Sequence, residues 1–464
     1  MTRSAALSTV LLLGLAAALV SRPQADPRLK NAFRKPAQNG WIFVHLAGAP
    51  AEIGFQHGYL LAPEIQDTFK VISTEITHDE KRDWEFFRKA AREMLWPRTP
   101  AEYQQEIQGI ADGLKARRAK LDLYDVVAMN AWLELGYYTR WLKTQQGQKP
   151  ASSAPEHCSA FVATGSYTKD GRPVIAHNAW TSYASGERWN IVFDIVPAAG
   201  HRFIMDGMAG LIHSGDDFGV NAAGIAITET TISGFSGYDP NGIPEYARAR
   251  KAMQYAASID DFARIMREGN NGGYANDWLV ADMNTNEIAS LELGLKNVTL
   301  DRSKDGFFVG ANFPINPKLA AEETDFDLKD MGRSPNARRV RWLELMDQHK
   351  GRIDVAAAQK FLADHYDTFQ KKEEPSERTI DGHIDLSPRG SQPWQPPYGT
   401  AGAVQNKAMD AALAARLGFT AFLGHACGMN FKAARHLKEH PEFAWQKGIL
   451  RDMPARAWTT FAVK

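Results

Sequence analysis

The sequence of 464 residues contains only two cysteines, Cys158 and Cys427. It is therefore not a small scaffold held together by disulfides, and one bridge between these two residues is the most it could form internally. Lysine and arginine together number 54, and so do aspartate and glutamate. This balance gives no electrostatic reason to expect binding to nucleic acid or to an anionic membrane.

Signature motifs of several enzyme classes are also missing. There is no Gly-x-Ser-x-Gly run to form the nucleophile elbow of a serine hydrolase. Glycine-containing stretches such as Gly207–Gly210 and Asn270–Gly273 have the composition of turns and lack the spacing of a phosphate- or dinucleotide-binding loop. Neither a His-Glu-x-x-His motif nor a regularly spaced Cys/His set is present, so a conventional metallohydrolase is not indicated.

A hydrophobic run near the N-terminus has the features of an export signal. Arg3 supplies a positive charge, residues 10–20 are apolar, and polar residues follow from Ser21. The run is too short for a comfortable transmembrane helix, and no later run qualifies. We therefore assign residues 1–25 as a signal peptide. The expected location is periplasmic or extracellular, or a lysosome-like lumen in a eukaryote, and an uncleaved membrane anchor is the alternative.

Cys158 begins a strand-like run, Cys158–Ala163, deep inside the chain. The segment before it, residues 145–157, is polar and rich in proline and serine, as exposed linkers are. Such segments are where proteolysis falls. A cysteine in this place is expected to become a new N-terminus, with its thiolate as the nucleophile and its freed α-amine as the base. A cysteine that merely packs in the core is the alternative.

The two sides of this linker differ in their patterns. Residues 26–144 contain a strand near Trp41–Leu46 and are otherwise mostly helical, with a capping box predicted at Thr99–Glu102. After the linker short β-like segments predominate, and one long helix is predicted over Pro244–Arg267. Strands grouped together with helices elsewhere indicate an α+β protein rather than a series of βαβ units.

Two other polar sites could carry chemistry. Asp216 and Asp217 form a carboxylate pair that could act as acid and base or, with His177 and His213, bind a metal. Such pairs more often form turns and caps. Asn276 stands just before an apolar strand, where its amide could stabilise an oxyanion or form an Asx turn.

Several segments together resemble the phospholipase B-like family. This family lies within the cysteine N-terminal-nucleophile (Ntn) hydrolases, which include the penicillin-precursor acyltransferase group. The segments are Cys158–Ala160, Ala176–Tyr183, His213–Phe218 with Glu229–Thr231, and Tyr274–Trp278, and Gly54–Gly58 is similar to the opening motif of the acyltransferase group. Their order and spacing match over roughly residues 40–345, and the match is weak after about residue 350.

The resemblance implies a four-layer αββα sandwich with the helix-rich N-terminal segment packed on it. The residues that match functional positions of the group are Cys158, His177, Trp180, Asn276 and Arg338. Cys158 is then the nucleophile and the self-processing residue, and Asn276 lies on the oxyanion side. For the late arginine, Arg339 and Arg341 are alternatives to Arg338.

The geometry of the hairpin after Cys158 is unfavourable to His177. If Asp170 and Gly171 form a two-residue turn, Cys158 pairs with Tyr183. His177 then lies about 20 Å from Cys158 along the strand, at ~3.3 Å per residue. Either the loop is longer and the register shifts, or His177 acts elsewhere.

The expected organisation is a signal peptide (1–25), an N-terminal fragment (26–157) with a processing linker at about 145–157, and a hydrolase core (158–464). We expect an autoprocessing hydrolase that cleaves an amide or ester acyl bond of a small molecule, either a lipid or an N-acyl amide, without metal or organic cofactor. The two fragments should stay associated, no nucleic acid is expected as a partner, and transient contact with a membrane surface stays open. The alternatives are a papain-like cysteine hydrolase without autocleavage and a non-catalytic exported binding protein.

Overall fold

The computed structural model describes residues 26–148 and 158–463. The expected signal peptide and the linker residues 149–157 lie outside these ranges. Within the ranges, no helix is both long enough and apolar enough to cross a membrane.

Strands and helices occur on both sides of the linker. The strands are β1 (Phe33–Arg34), β2 (Ile42–Gly48), β3 (Cys158–Thr164), β4 (Val174–Ser182), β5 (Ile191–Pro197), β6 (Phe203–Gly207), β7 (Gly219–Asn221), β8 (Ile225–Thr231), β9 (Asn276–Asp282), β10 (Glu287–Leu293), β11 (Val298–Ser303), β12 (Gly306–Gly310), β13 (Tyr366–Asp367), β14 (Lys372–Glu373), β15 (Ala401–Asp410), β16 (Gly418–Leu423) and β17 (Thr459–Ala462). The helices are α1 (Pro50–Leu60), α2 (Ala62–Glu80), α3 (Trp84–Ala90), α4 (Ala101–Ala116), α5 (Leu123–Asn130), α6 (Trp132–Gln145), α7 (Tyr183–Gly186), α8 (Glu245–Tyr255), α9 (Ile259–Arg267), α10 (Pro317–Glu323), α11 (Ser334–Gln348), α12 (Val355–Leu362), α13 (Ala411–Ala414) and α14 (Ala433–Glu439).

Two large sheets form the centre of the molecule. The first has the order β1-β2-β5-β6-β7-β8-β9-β10-β11, and the second has the order β12-β3-β4-β15-β16-β17. Neighbouring strands pair antiparallel except β2 and β5, which are parallel. Strand β3, which begins at Cys158, is an interior strand of the second sheet, between β12 and β4.

Three apolar layers separate the sheets and helices into four levels. Side chains between the two sheets, such as Phe43 on β2 and Val162 on β3, form one buried cluster. Side chains alternate between the faces of a strand, so Val44 points the other way and packs with helices α1, α2, α4, α5, α8 and α9. On the outer face of the second sheet, Phe161 packs with α11 and α12. This arrangement confirms the expected αββα sandwich.

The N-terminal part is more than a helical cover on the sandwich. Strand β2 lies inside the first sheet, paired with β1 on one side and with β5 in parallel on the other. Helices α1 and α4 cross closely through glycines: a Cβ atom on Gly54 would lie 1.9 Å from the carbonyl oxygen of Glu106. Ile107, Ile110 and Leu114 of α4 are fully buried. The part before the linker therefore shares both a sheet and a core with the part after it.

Two local predictions are wrong. The helix expected over Pro244–Arg267 is two helices, α8 and α9, because Ser258 begins a new helix by accepting a hydrogen bond from the Asp261 N–H at 3.1 Å. The capping box at Thr99 does not form: Pro100 occupies the N-cap position of α4 without a side-chain cap. The Thr99 hydroxyl instead donates to a carbonyl of the preceding turn at 2.9 Å.

Candidate active site

The β3–β4 hairpin brings His177 close to Cys158. Cys158 lies opposite Ala179, and His177 lies opposite Ala160. The expected two-residue turn is wrong, because the connection between the strands spans residues 165–173 and begins with a 3₁₀ turn. The register therefore shifts by four residues relative to the expectation, and the two side chains become near neighbours on one face of the sheet.

Glu229 on β8 of the facing sheet completes a buried group of three. One side-chain heteroatom each of Cys158, His177 and Glu229 lies within 4.8 Å of the other two. All three residues are at most 2% exposed. The Glu229 carboxylate accepts a hydrogen bond from the Tyr274 hydroxyl at 2.9 Å.

Asn312 and Arg338 hold the backbone of Cys158. The Cys158 N–H donates to Asn312 Oδ1 at 2.9 Å. Arg338 Nη1 donates to the Cys158 carbonyl oxygen and, at 2.9 Å, to Ser159 Oγ, while its Nη2 donates to Asn312 Oδ1 at 3.0 Å. Because a guanidinium presents several donors in a rigid planar fork, Arg338 fixes the orientation of the first strand residues.

Trp180 supports this arginine. The guanidinium of Arg338 lies over the Trp180 ring, 4.2 Å from its centroid, in a cation–π contact. The indole N–H donates to the Ile380 carbonyl at 3.2 Å. The other two arginines of the sequence alternative lie elsewhere: Arg339 stacks on an aromatic ring, and Arg341 pairs with a carboxylate on the loop after α12. The structure thus places Arg338, and neither neighbour, at Cys158.

His177 is uncharged in its buried position. Burial, and then the nearby Lys407 ammonium, lower the pKa of His177 to about 3. Its Nδ1 lies 3.8 Å from Asp216 Oδ2. Neither ring nitrogen has a hydrogen-bond partner within residues 26–148 and 158–463. The neutral imidazole therefore has lone-pair and donor capacity that the fold does not use.

The thiol of Cys158 is held in its protonated form. Burial and the neighbouring Glu229 raise its pKa well above the usual value, while the Trp180 backbone and Lys407 act in the opposite direction. Burial and the charge of Asp217 likewise raise the pKa of Glu229 well above its usual range. A base must therefore remove the thiol proton before Cys158 can attack.

The side chains of Asp216 and Asp217, which the sequence suggested as a carboxylate pair, contact different partners. Asp216 forms an ion pair with Lys407, which also binds Asp206 at 2.9 Å. Burial opposes ionisation of Asp216, but the Lys407 ammonium outweighs it and lowers the pKa of Asp216. Asp217 instead faces His213 at 3.9 Å, and burial raises its pKa to about 8. The pair therefore does not act as one acid–base unit.

Asn276 is the first residue of β9 and lies opposite Thr231 on β8. The Thr231 carbonyl accepts a hydrogen bond from Asn312 Nδ2 at 2.9 Å, which links this strand pair to the clamp on Cys158. Asn276 is fully buried, and both atoms of its amide lack a hydrogen-bond partner in the described part of the chain. The alternative of an Asx turn is therefore not what the structure shows.

A cavity of about 540 Å³ lies beside the end of β4 and Tyr274, which binds Glu229, but Cys158, His177 and Glu229 themselves do not line it. Its wall includes Thr181 and Ser182, just after Trp180 on β4. The rest of the wall comes from both sides of the linker and includes five aromatic residues, Trp132, Tyr137, Trp394, Phe443 and Trp445, and four acidic ones, Glu75, Asp79, Glu80 and Glu442. The volume falls in the range of small-molecule sites.

Sequence reasoning missed Asn312 and Lys407. Asn312 follows β12 in the unremarkable run Ala311-Asn312-Phe313, and no pattern singles it out. Lys407 did leave a signal, since it is the one charged residue in β15 before the terminal Asp410, and it is fully buried. Buried lysines occur almost only when they are paired.

The disulfide that the sequence left open is not formed. Both Cys158 and Cys427 are free thiols. Cys158 therefore keeps the chemical capacity of a nucleophile.

Comparison with known proteins gives one match that spans most of the chain. The family model of phospholipase B matches residues 54–458. Human phospholipase B-like 1 is 24% identical over 310 residues, which cover 57% of this chain and 56% of that protein. The acyl-coenzyme A:6-aminopenicillanic-acid-acyltransferase 40 kDa form of Emericella nidulans is 23% identical over 257 residues, covering 54% of this chain and 63% of that one. A solved structure of penicillin V acylase from Agrobacterium tumefaciens aligns with a TM-score of 0.33 and 14% identity over 57% of this chain and 83% of that chain.

These matches correct one expectation from the sequence. The family match continues past residue 350, where the resemblance was weak, and this region supplies β15, β16 and β17 of the second sheet. The chain spans about half the length of the curated relatives it matches. Since the family model covers residues 54–458, the whole Cys158 site lies within it, and so do all strands of the two large sheets except β1, β2 and β17. The chain belongs to the phospholipase B family.

Proposed function

We propose that the protein is an exported, self-processing Ntn hydrolase that cleaves an amide or ester acyl bond, with Cys158 as its nucleophile. The observation that carries the proposal is the way Cys158 is held. Its N–H is bound by Asn312 and its carbonyl by Arg338, while its thiol faces the unpaired ring of His177. Buried backbone groups need partners whatever the side chain, but a cysteine that only fills space needs neither an imidazole nor a carboxyl group beside its thiol.

Self-processing uses the bond before Cys158. The thiol attacks the carbonyl carbon of residue 157, and the amide nitrogen of Cys158 leaves with a proton as a free α-amine, so that a thioester forms. Water then hydrolyses the thioester, which returns the thiol and leaves a carboxylate on residue 157. Asn312 Oδ1, which accepts from this nitrogen before cleavage, would keep the amine beside the thiol. A free α-amine has a reference pKa of about 7.7–8.0, so it can accept the thiol proton near neutral pH.

The neighbouring cavity favours an apolar acyl group. Trp132, Tyr137, Trp394, Phe443 and Trp445 line it, and rings of this kind bury large apolar areas; the carboxyl groups of other wall residues, Glu75, Asp79, Glu80 and Glu442, leave room for a polar end of the substrate. Asn276, with an unused buried amide, is the candidate donor to the oxyanion. Trp180 acts as a positioning residue, because it contacts Arg338. The proposed substrates are lipid esters and N-acyl amides of small molecules.

Intact-mass and N-terminal analysis of the purified protein tests the proposal. We expect two fragments, one of them beginning at Cys158, and activity against chromogenic acyl esters or amides that disappears on thiol alkylation. Cys158→Ala should give one uncut, inactive chain. Ser159→Ala is the matched control, because it removes only a hydroxyl that accepts from Arg338, and it should still be cut. Cleavage of Cys158→Ala at the same bond would refute self-processing.

A papain-like mechanism is the second candidate, because His177 lies within reach of the thiol and is neutral. In that mechanism His177 is the base, no α-amine is needed, and the uncut chain is fully active. His177→Ala would then abolish acyl hydrolysis while the chain stays intact. In the Ntn mechanism, His177→Ala should still be processed.

Export is tested separately from the chemistry. Residues 1–25 carry the signal in the sequence, so the mature protein recovered from the periplasm or the medium should begin after them. Recovery of the full-length chain in a membrane fraction would support the anchor instead.

A further inference from the structure

A second cluster of polar side chains lies apart from the nucleophile. It consists of His365, Asp381, His383 and Cys427, one heteroatom of each lying within 4.8 Å of all the others. These residues come from two separate parts of the chain: His365, Asp381 and His383 lie in the connecting segment (residues 363–400), and Cys427 lies in the loop after β16.

The distances between these atoms match the edges of a ligand tetrahedron. With Zn–N and Zn–O bonds of about 2.0–2.2 Å and a Zn–S bond of about 2.3 Å, tetrahedral ligands lie roughly 3.3–3.6 Å apart. Asp381 Oδ2 lies 3.4 Å from His365 Nε2 and 3.8 Å from His383 Nε2. His383 Nε2 lies 3.6 Å from Cys427 Sγ. Two imidazoles, one carboxylate and one thiolate form a ligand set that suits zinc.

Hydrogen bonding accounts for only part of this geometry: the Cys427 N–H donates to Asp381 Oδ2 at 2.9 Å, and Cys427 Sγ lies within hydrogen-bond distance of His383 Nε2. N–H···O bonds usually measure about 2.7–3.2 Å, and within the described ranges the buried His365 Nε2 has no hydrogen-bond partner. A Cys–His–Asp triad, whose histidine uses opposite ring nitrogens for the nucleophile and the carboxylate, is not formed either, because His383 Nδ1 lies 3.9 Å from Asp385 Oδ1, beyond hydrogen-bond distance. Here the same His383 nitrogen faces both Cys427 and Asp381.

Surrounding residues hold the carboxylate in place. His425 Nδ1 forms a hydrogen bond to Asp381 Oδ1 at 3.3 Å, and the Cys427 N–H donates to Oδ2 at 2.9 Å, the oxygen that also faces His365 and His383. His425 Nε2 in turn lies within hydrogen-bond distance of the Tyr183 hydroxyl, at 3.1 Å. Hydrogen bonds that orient a coordinating carboxylate are a regular feature of metal sites.

We infer that His365, Asp381, His383 and Cys427 bind a structural Zn²⁺. Four protein ligands close the coordination shell, as in structural rather than catalytic zinc sites. The ion would tie the two ends of the ligand-bearing stretch 365–383 together and hold it against the loop after β16. Gly382, between two of the ligands, presses on Trp180, where a Cβ would lie 2.0 Å from the ring. Zinc would thus keep the segment against the ring that supports Arg338, independently of the thiol chemistry.

Metal analysis of the full-length protein tests this inference. After growth with added Zn²⁺ and passage over a chelating resin, we expect about one zinc per chain, as a closed four-ligand site predicts. His365→Ala and Cys427→Ala should lose this zinc and melt at a lower temperature. His201→Ala is the matched imidazole control, and both it and Cys158→Ala should keep the metal. His425→Ala should weaken zinc binding by roughly 10–100-fold.

Two results would overturn the inference. One is a wild-type protein that carries no zinc and whose melting temperature does not change when Zn²⁺ is added. The other is equal zinc content in the wild type and in folded His365→Ala and Cys427→Ala proteins. If those variants do not fold, the Cys158→Ala protein is loaded with Co²⁺ instead. Cys427 is then the only thiol in the sequence, so any thiolate–cobalt signal comes from the proposed site. We expect thiolate-to-cobalt charge transfer and intense visible bands, and their absence would exclude the site.

Discussion

Replacing Asn276 with alanine should lower turnover strongly while changing the free energy of unfolding little. The amide of Asn276 is fully buried, and neither of its polar atoms has a partner in the described structure. An unsatisfied buried polar group costs the folded state about 1–3 kcal/mol. Asn276→Ala removes two such groups and leaves a small void that costs about 1–2 kcal/mol. The two effects oppose each other, so the free energy of unfolding should change by less than about 2 kcal/mol.

Asn130 provides the matched control. It is also a buried asparagine, but its amide donates to the carbonyls of Val126 and Gly210 at 2.9 Å and accepts from the Ile212 N–H at 2.7 Å. Asn130→Ala loses three hydrogen bonds worth about 1 kcal/mol each and leaves the same void. It should therefore destabilise the fold by roughly 3–5 kcal/mol.

Two assays measure the two effects. Stability is compared by urea unfolding in a Cys158→Ala background, where the chain stays in one piece. Turnover is compared on material whose cleavage is complete, because Asn276 is expected to assist self-cleavage as well. Loss of one oxyanion donor should lower turnover of Asn276→Ala by about 10²–10³-fold. A variant with wild-type turnover that is as unstable as Asn130→Ala would show Asn276 to be a structural residue.

Three further predictions follow from contacts described above, and a fourth from Glu75, a buried residue of α2 that lines the cavity. Lys407→Met should destabilise the fold by about 3–5 kcal/mol in urea, because it leaves the buried Asp216 carboxylate without its partner; a neutral effect would mean that Asp216 is protonated. Arg338→Lys should slow cleavage before Cys158 in time-resolved gels, because lysine cannot reproduce the planar fork, whereas Arg339→Lys should not. The cleaved protein should elute as one species in native gel filtration, and separate fragments would contradict the shared first sheet. Burial raises the pKa of Glu75 to about 7, so the wild-type protein should lose free energy of unfolding as pH rises from about 4.5 to 7. Glu75→Gln cannot ionise, so its free energy of unfolding should rise by roughly 3 kcal/mol relative to wild type across that range. If the difference between the urea midpoints of the two proteins is the same at about pH 5 and about pH 8, the prediction is wrong.

The layered fold could be predicted because it rests on local patterns. Strands such as Asn276–Asp282 and Glu287–Leu293 have clear apolar runs, and the segments around Cys158 and His177 matched a family in order and spacing. The break within the helix expected over Pro244–Arg267 was missed. The helical pattern of the sequence continues through this stretch, and the only local sign of the break is Ser258, the N-cap residue of α9.

The polar contacts of the site could not be predicted from local sequence. Asn312 and Lys407 reach the Cys158 group across 154 and about 250 positions of sequence respectively, so only the tertiary fold reveals them. The predicted register of the β3–β4 hairpin was wrong for a different reason. The Asp170-Gly171 turn signal is real, since Gly171 adopts a positive φ of 77°, but it lies within a longer loop, and a turn signal alone does not fix loop length.

The position of β2 inside the first sheet affects how the protein could recover from damage. After cleavage before Cys158, refolding would be bimolecular, because one fragment carries β2 and the other carries its partner strand β5. Recovery would then depend on concentration, whereas the uncut precursor folds at any dilution. For an enzyme diluted into an extracellular space, unfolding would therefore be irreversible in practice. Its working life would be set by the height of the unfolding barrier rather than by the equilibrium between folded and unfolded states.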